Sequence, residues 1–448
     1  MSSAARILIC AAAAALLAQP PLAERARQAA NLLLAGDYET LAQQFAPEMR
    51  KAAPPEALRQ AVAPQLQALG AVKRIGAPEA AKAGAFDIVM IPVEFERGAL
   101  RLQISFNAAG EIAGLFLRPP APARSWQRPD YSRPDAFTER DVTAGAEGWP
   151  LPATLSVPNG PGPFPAVVLV HGSGPNDRDE SVGAAKPFRD LAEGLASCGV
   201  AVLRYEKRTR HHAAKLASTP ALTLRDEVID DALAALALLR RTPGVDPRRV
   251  YLLGHSLGAW LAPVIAAEDG RVAGVILMAA PARPLEQLYV EQIRYLLSLD
   301  PDASAAGKAK LEDAEREAAA VRQIRETGQG PERALGAPRS YWLSFRGLDP
   351  LAAAARLPAP VFVLQGGRDY QVTGEDFRLW QRALEGKAGA QLKLYPALNH
   401  LFQPGEGPSS PAEYDKPGHV AAEVIGDLCQ WILRTGGPAQ RPATSPPR

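Results

Sequence analysis

A serine hydroxyl is a poor nucleophile until a neighbouring base takes its proton. One serine of this chain stands where that chemistry is expected. The apolar run Val250 to Leu253 leads into Gly254-His255-Ser256-Leu257-Gly258 and then into the helix-compatible stretch Ala259 to Ala267. A strand, a G-x-S-x-G turn and a helix in that order hold a serine on a sharp bend, where the glycines remove Cβ atoms that would collide and leave the hydroxyl exposed. Ser256 is the candidate nucleophile. Its base is a histidine oriented by an acid, and for a serine on such a bend the acid and then the histidine follow in the chain. Two histidines follow Ser256. His400, in a short loop beyond a predicted strand, is the expected base; His419, after Pro417-Gly418 at the start of the last helix, reads as a surface residue and is the alternative. Asp369, in the loop after the apolar run Val361 to Leu364, is the expected acid. Glu375 and Asp376 are its alternatives, but they fall at the start of the next helix, where acids commonly act as caps.

Acyl transfer creates an oxyanion that needs two backbone N–H donors, one from the residue after the nucleophile and one from an earlier loop. Leu257 supplies the first. The earlier loop is His171-Gly172-Ser173-Gly174, at the tip of the apolar strand Ala166 to Val170, and Ser173 is its expected donor. The glycines let a substrate lie against the backbone. The loop matches neither phosphate-binding glycine pattern, and His171 reads as a residue that holds it in place. Four charges follow, Asp177, Arg178, Asp179 and Glu180, expected near the pocket mouth. Either Arg178 contacts an acidic group of the substrate through its planar fork of donors, or the charges pair within the loop and with neighbours such as Arg204 and Lys207. The second reading is preferred. His211 and His212 lack a spaced third ligand and read as an exposed basic loop. No metal and no cofactor is expected.

The elements that must position these groups are legible as alternating apolar runs and helical stretches. Runs at 166–170, 200–203, 250–253, 274–279 and 361–364 are separated by helices such as Pro187 to Ser197 and Leu224 to Arg241. Runs buried on both faces with helical crossovers predict a parallel sheet covered on both sides. The interval 285–356 is helical in composition, highly charged and too long for a connection, so it predicts a helical lid. Ahead of this region, residues 24–118 show helical spacing up to about Gln44 and from Pro55 to Leu69. Three strands with one buried face follow, around Val89 to Phe95, Leu100 to Phe106 and Ile112 to Leu117. This predicts a small α+β domain. Proline-rich residues 119–148 read as a linker, the hydrolytic centre then occupies 149–435, and 436–448 reads as a disordered tail.

With 448 residues, 47% hydrophobic and 22% charged, the composition is that of an ordinary globular protein. Lys and Arg number 50 against 48 acids and are dispersed, which argues against a nucleic-acid partner. Residues 1–23 carry one arginine ahead of an apolar run, Ile7 to Ala18, too short for the roughly 20 residues of a membrane span. They read as a secretory signal peptide, which predicts a secreted or periplasmic protein with no stable membrane span. Cys198 and Cys429 are then the cysteines left; their spacing leaves pairing open, and nothing in the sequence sets an oligomeric state.

The segments HGSGPNDRDE, LRYEKRT, GHSLGA, GRDYQVT and NHLF fall in order along the chain. Through them the stretch from about Trp149 to Leu433 resembles the α/β-hydrolases of the bacterial dienelactone-hydrolase-like and serine-aminopeptidase-like esterase group. The resemblance implies an α/β-hydrolase fold and a serine carboxylic-ester hydrolase acting on a small-molecule ester. Some such proteins carry a small N-terminal domain of unknown function, like residues 24–118. The same machinery cleaves amides and thioesters, so a serine peptidase, an acyl thioesterase or an acyltransferase are the alternatives, and a binding protein without activity is the non-enzyme rival. Oligopeptidases that screen substrates with a propeller do not fit, since four blades of about 40 residues exceed the front domain.

Overall fold

The computed structural model describes residues 22–83, 86–119, 126–217, 221–299 and 305–435. The signal peptide expected over 1–23 lies outside them up to residue 21, as does the tail 436–448. The chain separates into two units, one ending at Ala123 and one beginning at Arg124.

In the first unit α1 (Leu22–Ala35) buries Ala26, Ala29, Ala30 and Leu33, a single face at helical spacing. Gly36 at φ 76° ends it, and α2 (Tyr38–Ala42) starts on an Asp37 side chain that accepts from the Thr40 N–H. Two further helices follow, α3 (Pro47–Ala52) and α4 (Pro55–Leu69). The strands are β1 (Val72–Ile75), β2 (Glu79–Ala83), β3 (Phe86–Phe95), β4 (Gly98–Phe106) and β5 (Ile112–Arg118), an antiparallel sheet in which β3 pairs with β1, β2 and β4, and β4 with β5. Val89, Ile91 and Val93 of β3 face Leu33, Leu41 and Phe45 in one core. β1, β2 and α3 are additions to the sequence reading; β1 is almost wholly exposed and so carries no apolar alternation.

The second unit is built on a sheet ordered β15-β14-β11-β10-β8-β9-β7-β6. Its elements in chain order are β6 (Phe137–Ala144), β7 (Leu151–Pro158), β8 (Phe164–Val170), α5 (Pro187–Ser197), β9 (Ala201–Tyr205), α6 (Arg208–His211), α7 (Ala213–Ala217), a π-helical turn (Arg225–Ile229), α8 (Asp230–Arg241), β10 (Val245–His255) and α9 (Leu257–Asp269). They continue with β11 (Val275–Met278), α10 (Leu285–Ser298), α11 (Ala305–Thr327), β12 (Arg333–Ala334), β13 (Ala337–Pro338), α12 (Arg339–Leu343), α13 (Pro350–Arg356), β14 (Val361–Gly366), α14 (Gly374–Ala383), β15 (Ala390–Tyr395) and α15 (Ala422–Arg434). From β9 to β15 neighbouring strands run parallel, and β7 is antiparallel to both β9 and β6. Alternate residues of β8 serve two cores: Ala166, Val168 and Val170 pack with α8 and α9 on one face, Val167 and Leu169 with α5 and α15 on the other. This two-faced burial is why the run reads as continuously apolar. A Cys198–Cys429 disulfide ties the end of α5 to α15 on the second face.

Two expected boundaries are corrected. The interval 119–148 is not a linker beyond the undescribed residues 120–125: Trp126 donates to Asp190 Oδ1 at 2.8 Å, Ser132 to Glu193 Oε2 at 2.7 Å, and β6 is the outermost strand of the sheet. An edge strand with residues 138–141 exposed has no apolar alternation to reveal it. Within 285–356, α10, α11 and α12 form the expected helical insertion together with the β12–β13 hairpin, but α13 belongs to the main layer, where Ala354 packs into the core against α9.

Candidate active site

Ser256 follows the last residue of β10 and precedes the first of α9, at φ 52° and ψ −119°, a backbone conformation that costs a non-glycine residue of order 1–3 kcal/mol. The chain holds it there by tight packing. A Cβ on Gly254 would collide with the Gly258 carbonyl, and one on Gly258 with the carbonyls of Val170 and His171, so the glycines allow β8, β10 and α9 to meet. The Ser256 N–H donates to the Met278 carbonyl at 2.9 Å, which ties the bend to the end of β11. Leu257 is the first residue of α9, where an N–H has no partner within the helix.

His400 and Asp369 come together at the ends of β15 and β14. His400 Nδ1 lies 2.7 Å from Asp369 Oδ2, and both residues are buried. Asp369 is saturated: Oδ1 accepts from the N–H groups of Gln371 and Val372 at 2.8 and 2.9 Å, and Oδ2 also accepts from Gln365 Nε2 at 3.2 Å. With Nδ1 directed at a carboxylate, the Nε2 of His400 is the nitrogen left for proton transfer. Asn399 fixes the loop by accepting from the Leu401 and Gln403 N–H groups on one side-chain oxygen, each at 3.1 Å. Neither Gln365, within β14, nor Asn399, in the loop before His400, is marked by the sequence, because a single amide carries no pattern of its own.

The alternatives have other partners. Asp376 is fully buried and accepts from the N–H groups of Ala282 and Arg283 and from the Arg283 guanidinium, while Glu375 pairs with the same arginine at 3.0 Å. His419 is bound to α5, with Nδ1 3.0 Å from Asp190 Oδ1, a bond that raises its pKa above the ordinary histidine value. His212 meets the Pro150 carbonyl at 2.8 Å; among the described residues no group of three His, Cys, Asp or Glu could hold a metal ion.

The loop His171 to Gly174 lies against Ser256, since a Cβ on Gly172 would sit 3.1 Å from Ser256 Cβ. Gly172 N–H is already committed to Glu180 Oε1 at 2.5 Å, and among the described residues Ser173 N–H has no acceptor. Ser173 and Leu257 line, with Ser256, a cleft of about 1230 Å³ that is lined as well by Leu288, Tyr289 and Gln292 of α10, Glu317 of α11 and Trp342 of α12. Glu180 is buried at φ 51°, and its other oxygen stands 3.0 Å from His255 Nδ1. His255 Nε2 in turn meets the His400 carbonyl at 3.0 Å, with the two rings 4.8 Å apart. Burial disfavours charge on both, but the mutual attraction prevails, raising the pKa of His255 and lowering that of Glu180. His255 thus links the Ser256 bend, the Gly172 loop and the His400 loop.

Of the two readings of Arg178, the contacts favour pairing over a substrate contact. Arg178 turns to the sheet, with Nε 3.0 Å from Glu206 Oε1 and Nη1 2.8 Å from Thr154 Oγ1 and 3.1 Å from Asp141, while Asp179 pairs with Arg204 and Lys186. The carboxylates on β6 and after β9 draw the guanidinium away from the pocket mouth, and the charged run is a scaffold for the loop.

His171 donates from Nε2 to the Asp177 carbonyl, 3.0 Å away, and packs between Phe188 and Tyr205. Burial pushes its pKa down to about 4. The native imidazole therefore stays neutral while the unfolded one takes a proton below about pH 6.5, so acidification from 6.5 to 4 favours unfolding by about 3 kcal/mol through this group alone. His171→Gln should lose less stability over that window. Urea midpoints of both proteins at pH 7, 5.5 and 4.5 measure it, and equal slopes would contradict a neutral buried ring.

A mostly parallel sheet with a serine on a strained bend after β10 is the architecture of the α/β hydrolases, and the chain belongs to the Alpha/beta hydrolase family, which it matches over residues 167–414. It is 40% identical over 350 residues to the Esterase EstD of Thermotoga maritima, covering 78% of this chain and 80% of that protein. Among solved structures, a putative dienelactone hydrolase from Klebsiella pneumoniae aligns with a TM-score of 0.39 at 18% identity, covering 67% of this chain and 99% of that one. An esterase of Pyrococcus furiosus aligns at 0.43 and 16%, covering 71% and 98%. Residues 26–115 match a family described as a protein of unknown function, DUF3887.

Proposed function

We propose that this protein is a carboxylic-ester hydrolase that works through Ser256, His400 and Asp369 and an acyl-enzyme intermediate. The observation that carries the reading is the strained Ser256 bend, tied through His255 to a His400 that is hydrogen-bonded to Asp369. A relative named as an esterase at 40% identity supports ester as the bond cleaved. Ser256 Oγ attacks the ester carbonyl carbon as His400 Nε2 takes its proton. The oxyanion accepts hydrogen bonds from the Ser173 and Leu257 N–H groups. The C–O bond to the alcohol then breaks, and His400 returns the proton to the departing oxygen. Water, deprotonated by the same nitrogen, attacks the acyl carbon; the bond to Ser256 Oγ breaks, that oxygen takes the proton back from His400, and the acid departs. The insertion α10 to α12 gives the cleft wall both apolar side chains, among them Leu288, Tyr289 and Trp342, and the polar Gln292, Glu317 and Arg333. Secretion or a periplasmic location is part of the proposal, supported by the apolar run Ile7 to Ala18 and by the Cys198–Cys429 disulfide, a bond at home in oxidising compartments.

The test is a substrate panel of short- and long-chain nitrophenyl esters, an aminoacyl anilide and an acyl thioester, combined with fluorophosphonate labelling. The esters should show the highest kcat/KM, and the label should map to the peptide carrying Ser256. A preference for the anilide or the thioester would reassign the site to a peptidase or a thioesterase. Neither turnover nor label would leave a binding protein.

A further inference from the structure

The peptide unit that joins Gly172 to Ser173 is fixed by buried charge. Its carbonyl, on Gly172, accepts from Lys207 Nζ at 2.7 Å and from Asn176 Nδ2 at 3.2 Å. Just upstream, the Gly172 N–H is held by Glu180. Lys207 is only 2% exposed, and its ammonium also donates to Glu227 Oε1 at 2.6 Å. Glu227 lies in the π-helical turn Arg225–Ile229, a rare distortion that gathers at functional sites. An ammonium taken out of water loses several kcal/mol of hydration unless it is paired and fully hydrogen-bonded. A neutral donor such as Asn176 would satisfy a loop carbonyl without that cost, so the position of Lys207 asks for a reason beyond satisfying one backbone oxygen.

Peptide planarity supplies it. In a trans peptide the C=O and the N–H of one unit point in opposite directions. The Gly172 carbonyl is turned into the buried Lys207, so the Ser173 N–H of the same unit is turned the other way. Ser173 lines the cleft beside Ser256 and Leu257, and its N–H has no acceptor among the described residues. A Cβ built on Gly172, at the head of the unit, would lie 3.1 Å from Ser256 Cβ, so the unit runs beside Ser256. A cation on the carbonyl also polarises the peptide and strengthens its N–H as a donor. We propose that Lys207, with Glu227 as its counter-ion, is a positioning residue that aims and polarises the Ser173 N–H at the oxyanion. The inference rests on the ester-hydrolase reading of the same site. It differs from a plain structural ion pair in what it predicts: the effect of Lys207 belongs to the transition state, not to substrate binding or folding.

The experiment compares wild type, Lys207→Met and the double variant Lys207→Met/Glu227→Gln, which leaves no unpaired buried charge. Each is assayed for kcat and KM on a soluble short-chain nitrophenyl ester. Each is also titrated with an aryl trifluoromethyl ketone, whose adduct with a serine oxygen carries an oxyanion in the same place. Losing the use of one oxyanion donor lowers kcat by about 10²-fold or more. Both variants should therefore lose about 10²-fold in kcat with KM changed by less than about threefold, and ketone affinity should fall in step with kcat/KM. A double variant with wild-type kcat, or with lowered kcat and undiminished ketone affinity, overturns the proposal, because the harm in Lys207→Met would then come from the stranded Glu227 or from general disorder. Should Lys207→Met not fold, the double variant alone decides between these outcomes. A wild type without esterase activity defeats the hydrolase reading and this inference with it; an active wild type beside an unimpaired double variant defeats this inference alone.

Discussion

Ser256→Ala is expected to lower kcat for ester hydrolysis by about 10⁶-fold, the cost of removing the nucleophile from a triad that acts as a unit. The fold should survive. The alanine keeps the φ of 52° that the bend imposes, so no new strain is added, and the residue is only partly buried, so no cavity opens in the core. A shift of stability within about 0.5 kcal/mol is the usual outcome for such a change. The activity that remains after the substitution is informative. The Ser173 and Leu257 N–H groups and the cleft stay in place, and in comparable sites donors and binding alone leave about 10³- to 10⁴-fold acceleration over water. Stopped turnover assays at high enzyme concentration, paired with a thermal melt, measure both quantities. Activity within tenfold of wild type in a folded variant would remove Ser256 from the mechanism.

The sequence shows most of the chemical groups and little of what holds them. Ser256, Leu257 and the glycines around them are legible because a sharp strand-to-helix bend is a local event with a local pattern. Asp369 and His400 are legible at one remove: each follows an apolar strand, and their order in the chain matches the serine. The supporting shell is different in kind. Glu180 reaches His255 across 75 positions of sequence, Lys207 reaches Gly172 and Glu227, and Gln365 reaches Asp369 from within a strand. Such partners are set by the three-dimensional meeting of loops at one end of the sheet, and no spacing encodes them. Arg178 lies between these cases. The preferred reading, that the charges pair with neighbours such as Arg204, agrees with the Asp179–Arg204 pair, but Asp141 and Glu206, the partners of Arg178 itself, sit on segments whose adjacency only the sheet order creates. The strand β6 escaped for a similar reason, because an exposed edge needs no apolar period.

His400→Ala is expected to be nearly as damaging as Ser256→Ala, about 10⁶-fold in kcat, while His419→Ala leaves turnover close to wild type. Both histidines contact a buried aspartate, so carboxylate pairing alone does not tell them apart. The other bonds of each aspartate do. Asp190 spends its oxygens on the indole of Trp126 and the N–H of Val420 as well as on His419, a group of contacts that fastens residues 126 and 420 to α5. Removing His419 there should appear as a loss of stability, about 1 kcal/mol or more, since it strips a partner from a buried carboxylate. Asp369 instead has every oxygen occupied by the turn after β14 and by His400, whose carbonyl is bound by His255 next to Ser256. Asp369→Asn should then cost about 10⁴-fold, less than loss of the base, because an amide still fills the space but orients the imidazole in the wrong tautomer. The decisive comparison is kcat and melting temperature for the three variants side by side: low kcat with a normal melt for His400→Ala, and normal kcat with a lowered melt for His419→Ala. The opposite assignment would move the base to the Asp190 cluster on α5 and dissolve the proposed site.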